Sequence, residues 1–60
     1  MKLKELRKLI DKYQHVRIFN DEYRMLYSSY NDGDDITEYD ECSIERLDVS
    51  FDRALMIILK

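Results

Sequence analysis

Sixty residues with a single cysteine and a formal net charge of −3 point to one domain, residues 1–60, and exclude an intramolecular disulfide. A chain this short buries only ~60% of the surface its unfolded form exposes. It therefore offers no room for a large enclosed cleft, and oligomerisation is the stabilising aid that remains. The charge is polarised: residues 1–17 carry six bases and two acids, residues 18–45 one base and nine acids, and residues 46–60 three bases and two acids. There is no proline and one glycine, so no linker or disordered tail is expected.

No stretch approaches the ~20 apolar residues of a membrane span. The start, MKLKELRKLI, has basic residues and leucines, but Glu5, Arg7 and Lys8 interrupt what would be the apolar region of a signal peptide. A cytoplasmic location and no membrane partner are expected. Lys2–Tyr13 has Leu3, Leu6, Ile10 and Tyr13 at helical spacing, with Leu9 widening the stripe. The spacing predicts an amphipathic helix that needs a surface to lie on, because twelve residues are too few to be helical alone in water.

His15–Phe19 reads as the first strand, with Val16 and Ile18 on one side. Asn20-Asp21-Glu22 is a turn signal. Tyr23–Ser29 reads as the second strand, with Tyr23, Met25 and Tyr27 sharing a face. In that hairpin Arg17 and Arg24 fall across from each other, a candidate site for an anionic ligand or nucleotide. Tyr30–Glu41 then breaks the pattern and predicts an acidic surface loop, with room for a short strand at Ile36–Tyr39.

Cys42–Ser50 resumes strand character with a slip in phase. Cys42 and Ile44 are even-numbered, whereas Leu47, Val49 and Phe51 are odd. Either a β-bulge near Glu45-Arg46 or a strand that starts only at Arg46 reconciles the two. Phe51–Arg53 makes a turn, and Leu55–Lys60 forms the last strand. The run Ala54–Leu59 is the densest apolar stretch of the chain, and such a run marks a strand buried on both faces. Leu55, Ile57 and Leu59 face one side, and Met56 and Ile58 the other. The predicted fold is α+β: an N-terminal amphipathic helix packed on a small antiparallel sheet of about four strands, in the order helix, hairpin, acidic loop, hairpin. One helix covers one face only. Met56 and Ile58 are therefore expected at a homodimer interface.

Candidate chemistry concentrates in the acidic loop. NDGDDIT resembles the middle of an EF-hand loop, but with Gly33 as the turn glycine the first and third ligand positions fall on Ser28 and Tyr30. The twelfth falls on Tyr39 where a bidentate glutamate is needed. No metal site and no cofactor are expected. Asp32, Asp34, Asp35, Glu38, Asp40 and Glu41, bracketed by Tyr30 and Tyr39, present a negative field suited to a basic partner surface. Tyrosine, apolar with a polar tip, suits interfaces. An acidic mimic of nucleic-acid phosphates is an alternative. Direct nucleic-acid binding is not expected, since the pI is 5.0. His15 and Cys42 are the sole histidine and cysteine, and no HExxH, CxxC or GxSxG motif occurs. The chain does not read as an enzyme.

Three patches, LKELRKLI, HVRIFNDEYRMLY and RLDVSFDRALMIILK, cover about two thirds of the chain. On these the sequence resembles a loose group of short, mostly uncharacterised phage and prophage proteins of low-GC Gram-positive bacteria. The resemblance implies an accessory protein that acts in the host cytoplasm by stoichiometric binding to a host protein, including counter-defence of the anti-CRISPR kind. It assigns no residue roles, and the acidic loop lies outside it.

Overall fold

The computed structural model describes residues 1–60. In chain order the elements are helix α1 (Leu3–Arg7), strands β1 (His15–Phe19) and β2 (Met25–Tyr30), a 3-10 helix (Asp34–Tyr39), and strands β3 (Ile44–Val49) and β4 (Leu55–Leu59). The strands form one sheet in the order β2-β1-β4-β3. The α+β class, an N-terminal α-helix and the four strands stand as expected. Both hairpins are antiparallel, but they meet through a parallel pairing of β1 with β4, so the sheet is mixed. Hydrophobic alternation is identical for parallel and antiparallel neighbours, and only the path of the connection decides between them.

The central strands supply the core. Val16, Ile18, Ile57 and Leu59 cluster with Leu3 and Leu6 of α1 and with Ile36 of the 3-10 helix, all buried. The acidic stretch is therefore an ordered helical turn that inserts Ile36 into the core. It is neither a loose loop nor a strand over Ile36–Tyr39. Leu3 and Ile36 are each fully buried, so the two short helices together form the layer over one sheet face.

Helix α1 is five residues long, much shorter than Lys2–Tyr13. Glu5 accepts a hydrogen bond from the Lys2 amide at its start. Its end is set by a residue distant in sequence. The Asn31 side-chain amide donates to the carbonyls of Arg7 (3.2 Å), Ile10 (3.3 Å) and Asp11 (3.4 Å), and a continuing helix would need the Arg7 carbonyl for the Asp11 amide. Past that point Leu9 and Tyr13 are exposed. Asp11 accepts from the Tyr13 amide and turns the chain instead.

Strand β1 has its expected bounds, while β2 starts later. Tyr23 sits at φ 63, a left-handed conformation that no extended strand accommodates. Asn20 organises the turn by accepting from the amides of Glu22 and Arg24, both at 2.9 Å. Ile18 pairs with Tyr27 but Phe19 with Met25, so Leu26 bulges out. Met25 and Tyr27 thus lie on opposite faces, where unbroken alternation would have put them together. In β3 the register shifts between Ile44 and Arg46, which makes Glu45 the extra residue of the β-bulge and resolves the slip in phase.

The second sheet face closes differently from the expectation of a partner subunit. Ile58 is only 2% exposed and Met56 is half-buried within one chain. The register sets Phe19 and Arg46 on either side of Ile58. The Arg46 guanidinium lies 5.5 Å from the Tyr23 ring centre, so its stem crosses this face. Long side chains of the same molecule therefore shield Ile58, which presents no surface to a second copy.

Candidate functional site

The residues of the acidic segment divide into two groups. Asp40 and Glu41 bind the start of the chain. Asp40 receives the Arg7 guanidinium at 2.7 Å, and Glu41 bridges Lys2 (2.8 Å) and Lys4 (2.7 Å). Hydrogen bonds from Lys2 and then Lys4 pull the Glu41 carboxyl down to about 2, and the Lys4 ammonium is raised in turn. Tyr39 packs against the core, and its hydroxyl donates to the Leu26 carbonyl. These three belong to the scaffold. Asp32, Asp34, Asp35 and Glu38 are exposed and form no ion pair. With Tyr30, which is 53% exposed, they make the open acidic ledge.

The ledge is held rigidly. Ile36 anchors its underside, and Asn31, 5% exposed, ties its beginning to α1. Beyond its bonds to three carbonyls, the Asn31 side chain accepts from Arg7 Nε at 3.1 Å, and its backbone carbonyl accepts from Arg7 Nη2 at 2.8 Å. Gly33 lies against Tyr27, whose hydroxyl donates to the Tyr30 carbonyl at 2.5 Å. Sequence patterns missed Asn31 and Arg7 altogether. No motif links them, and 24 residues separate them.

Two shallow polar clefts flank the segment. One, about 340 Å³, is lined by Tyr27, Ser29, Gly33, Asp34 and Asp35. The other, about 260 Å³, is lined by Lys4, Arg7, Lys8 and Asp40. No three histidine, cysteine or carboxylate side chains converge as a metal would require. No helix is long and apolar enough to cross a membrane.

Arg17 and Arg24 do not form a joint site. Arg17 pairs in register with Ser28, and its guanidinium grips both carboxylate oxygens of Asp52 (3.1 and 2.5 Å) and Ser50 Oγ (3.1 Å). The Arg17 hydrogen bond, followed by those of Ser50 and the Ala54 amide, holds the Asp52 carboxyl well below the usual carboxylate range. Arg24 sits in the turn, 3.9 Å from Glu22. His15 meets Ser28 Oγ at 3.2 Å and Tyr30 edge-on at 5.8 Å. Cys42 packs against the core cluster, on the other side of the sheet from His15. The His15–Ser28 pair lies on an open strand surface outside both clefts, and no carboxylate orients the ring.

The sheet edges are partly closed. Leu26 and Tyr30, whose carbonyls accept tyrosine hydroxyls, belong to edge strand β2. On the other edge strand, β3, the Asp48 carboxylate accepts from the Val49 amide at 2.8 Å, and the Ile44 amide donates to the Met1 carbonyl at 2.9 Å. Edges blocked by the chain's own groups are poor templates for an added strand. Family models, curated proteins and solved structures all return no match to the chain.

Proposed function

We propose that this chain is a small accessory protein that binds another protein stoichiometrically, with the acidic ledge facing a basic surface on its partner. The observation that carries the reading is the division of the acidic residues. Asp40 and Glu41 are neutralised by Arg7, Lys2 and Lys4, whereas Asp32, Asp34, Asp35 and Glu38 have no ion-pair partner. Unpaired like charges held together on an ordered turn repel one another and destabilise the monomer. A basic partner surface relieves that repulsion and steers encounter. The resemblance to phage accessory proteins makes a host protein the natural partner, in the host cytoplasm, and counter-defence the natural setting.

The alternative of a small anionic ligand has no geometry in its favour, because Arg17 is occupied by Asp52 and Arg24 stands apart. A nucleic-acid mimic needs charges repeated along a duplex-like length, and four carboxylates on one turn do not supply that. The test is affinity capture from a lysate of a low-GC Gram-positive bacterium. The expected result is a one-to-one partner eluted by rising salt. The combined Asp32→Asn, Asp34→Asn, Asp35→Asn and Glu38→Gln variant should fail to retain it. Equal retention by that variant, or no partner at all, refutes the reading.

A further inference from the structure

At the start of the acidic ledge Asp32 is followed by Gly33, the one glycine of the chain. The backbone does not require a glycine there, since φ is −67. Packing does, because a Cβ would lie 2.3 Å from Tyr27 Oη. The contact with Tyr27 therefore fixes an aspartyl-glycyl peptide at an exposed turn. Such a peptide is reactive, because glycine has no Cβ to keep the preceding carboxyl away from its amide nitrogen. We infer that Asp32 is a site of covalent self-modification, at which the folded chain converts aspartate to isoaspartate through a succinimide with Gly33.

Three observations single out this site among the aspartates. The first is a free electrophile. Asp11, Asp48 and Asp52 each hold a nearby backbone amide, and Asp40 holds Arg7. The Asp32 carboxyl is exposed and pairs with no cation. The second is a lightly held nucleophile. Gly33 lies outside the helices and strands. Its amide donates to the Tyr30 carbonyl at 3.3 Å, beyond the usual N–H···O range, and shares that acceptor with the Tyr27 hydroxyl. Exposed backbone with so few bonds opens locally while the rest of the fold stays intact. The third is the lack of a rival. Asp21, Asp34 and Asp35 precede Glu22, Asp35 and Ile36, whose Cβ atoms crowd the amide.

The reaction needs only water. The Gly33 nitrogen attacks Cγ of the neutral Asp32 carboxyl. The N–Cγ bond forms, the Cγ–OH bond breaks, and the amide proton leaves with the hydroxyl as water. Water then adds to one of the two ring carbonyls. Opening at Cγ restores aspartate. Opening at the Asp32 main-chain carbonyl leaves Gly33 bonded to Cγ, so the main chain gains Cβ and the former carbonyl becomes a free carboxyl. Composition is unchanged, but the path of the chain is longer. On one side Asn31 is buried and tied to the carbonyls at the end of α1. On the other, Gly33 packs on Tyr27 and Ile36 is fully buried. An extra backbone atom between these fixed points displaces Asn31, so isoaspartate at position 32 loosens the tie between α1 and the ledge.

None of this depends on a partner for the ledge. In the experiment the full-length protein is kept folded in mildly acidic buffer above pH 4.5, where the Glu41 bridge is intact. A peptide of residues 28–36 serves as the unfolded reference. Electron-transfer fragmentation locates isoaspartate, and labelling by protein isoaspartyl methyltransferase counts it. Isoaspartate is expected at position 32 alone, after a transient species one water lighter. Its rate should lie within about tenfold of the peptide's, the worth of one ordinary hydrogen bond. Asp32→Glu should melt with the wild type and form none, because its larger ring closes far more slowly. The purified isoaspartate form should melt several degrees below the wild type. A native rate below that tenfold window, isoaspartate arising first at another aspartate, or an equal yield of isomer from Asp32→Glu overturns the inference. An isoaspartate form that melts with the wild type overturns the link to Asn31.

Discussion

Replacing Asn31 with alanine removes the part that joins α1, the first hairpin and the acidic ledge. The side chain is buried, donates to three carbonyls and accepts from Arg7 Nε. Two of those groups lose this partner on truncation: Arg7 Nε, on a side chain only 17% exposed, and the Arg7 carbonyl. Each buried polar group left without a partner costs ~1–3 kcal/mol, so the two together make Asn31→Ala cost about 2–6 kcal/mol. A domain of this size has about 3–9 kcal/mol in all, at roughly 0.05–0.15 kcal/mol per residue. The variant should therefore lose a large share of its stability at 25 °C. Urea denaturation followed by circular dichroism measures the loss. Asn31→Asp serves as a control, because it keeps an acceptor for Arg7 and loses the donors to the carbonyls, and it should recover less than half of the loss. A stability loss for Asn31→Ala below about 1 kcal/mol would refute the view of Asn31 as the tie between these elements.

Two further outcomes are expected. An alanine methyl at Gly33 would lie 2.3 Å from Tyr27 Oη, while the Gly33 backbone, at φ −67, is ordinary for any residue. Gly33→Ala should therefore cost about 1–3 kcal/mol through overpacking alone. Adding Tyr27→Phe should recover part of that cost, and strict additivity in thermal melts would contradict the contact. Acidification should destabilise the fold in a definite window. The Glu41 carboxyl drops from 4.5 to about 2 on folding, so its contribution is complete above pH 4.5 and disappears as pH falls from there towards 2. Asp52 is lowered as well and extends the loss to lower pH. Glu41→Gln should flatten the upper part of the slope of melting temperature against pH, and an unchanged slope would show that the Lys2–Glu41–Lys4 bridge does not form in solution.

What could be read in advance follows the range of the interactions. Strand β1 and the last strand are written in local alternation and lie where the pattern places them, whereas the slip in phase near Glu45 fitted either a bulge or a later strand start until the register decided for the bulge. The length of α1 was not legible, because Asn31 ends it from outside. Its own stripe at Leu9 and Tyr13 continues past the point where the carbonyls are taken. The acidic segment read as a loop because its charges hid Ile36, the one residue that turns it into part of the core. For the same reason Asp40 and Glu41 looked like free ligands, when Arg7, Lys2 and Lys4 had claimed them. Leu47, Val49 and Phe51 alternate like a covered face, yet all three are exposed. Alternation shows that a face is apolar, and leaves open whether the chain itself covers it.

The parallel seam between β1 and β4 bears on the order of folding events. Each hairpin is local and can close in ~1–10 μs. Neither holds a core alone, since Val16 and Ile18 belong to one hairpin and Ile57 and Leu59 to the other. The productive step is the meeting of Val16 with Leu55 and of Ile18 with Ile57, across about two thirds of the chain. That step must meet the entropy of closing a long loop before any buried contact repays it. Folding should thus be single-exponential and governed by docking of the two hairpins. Amide protection should be highest along β1 and β4, and should fall away towards the turns that carry Tyr23 and Phe51.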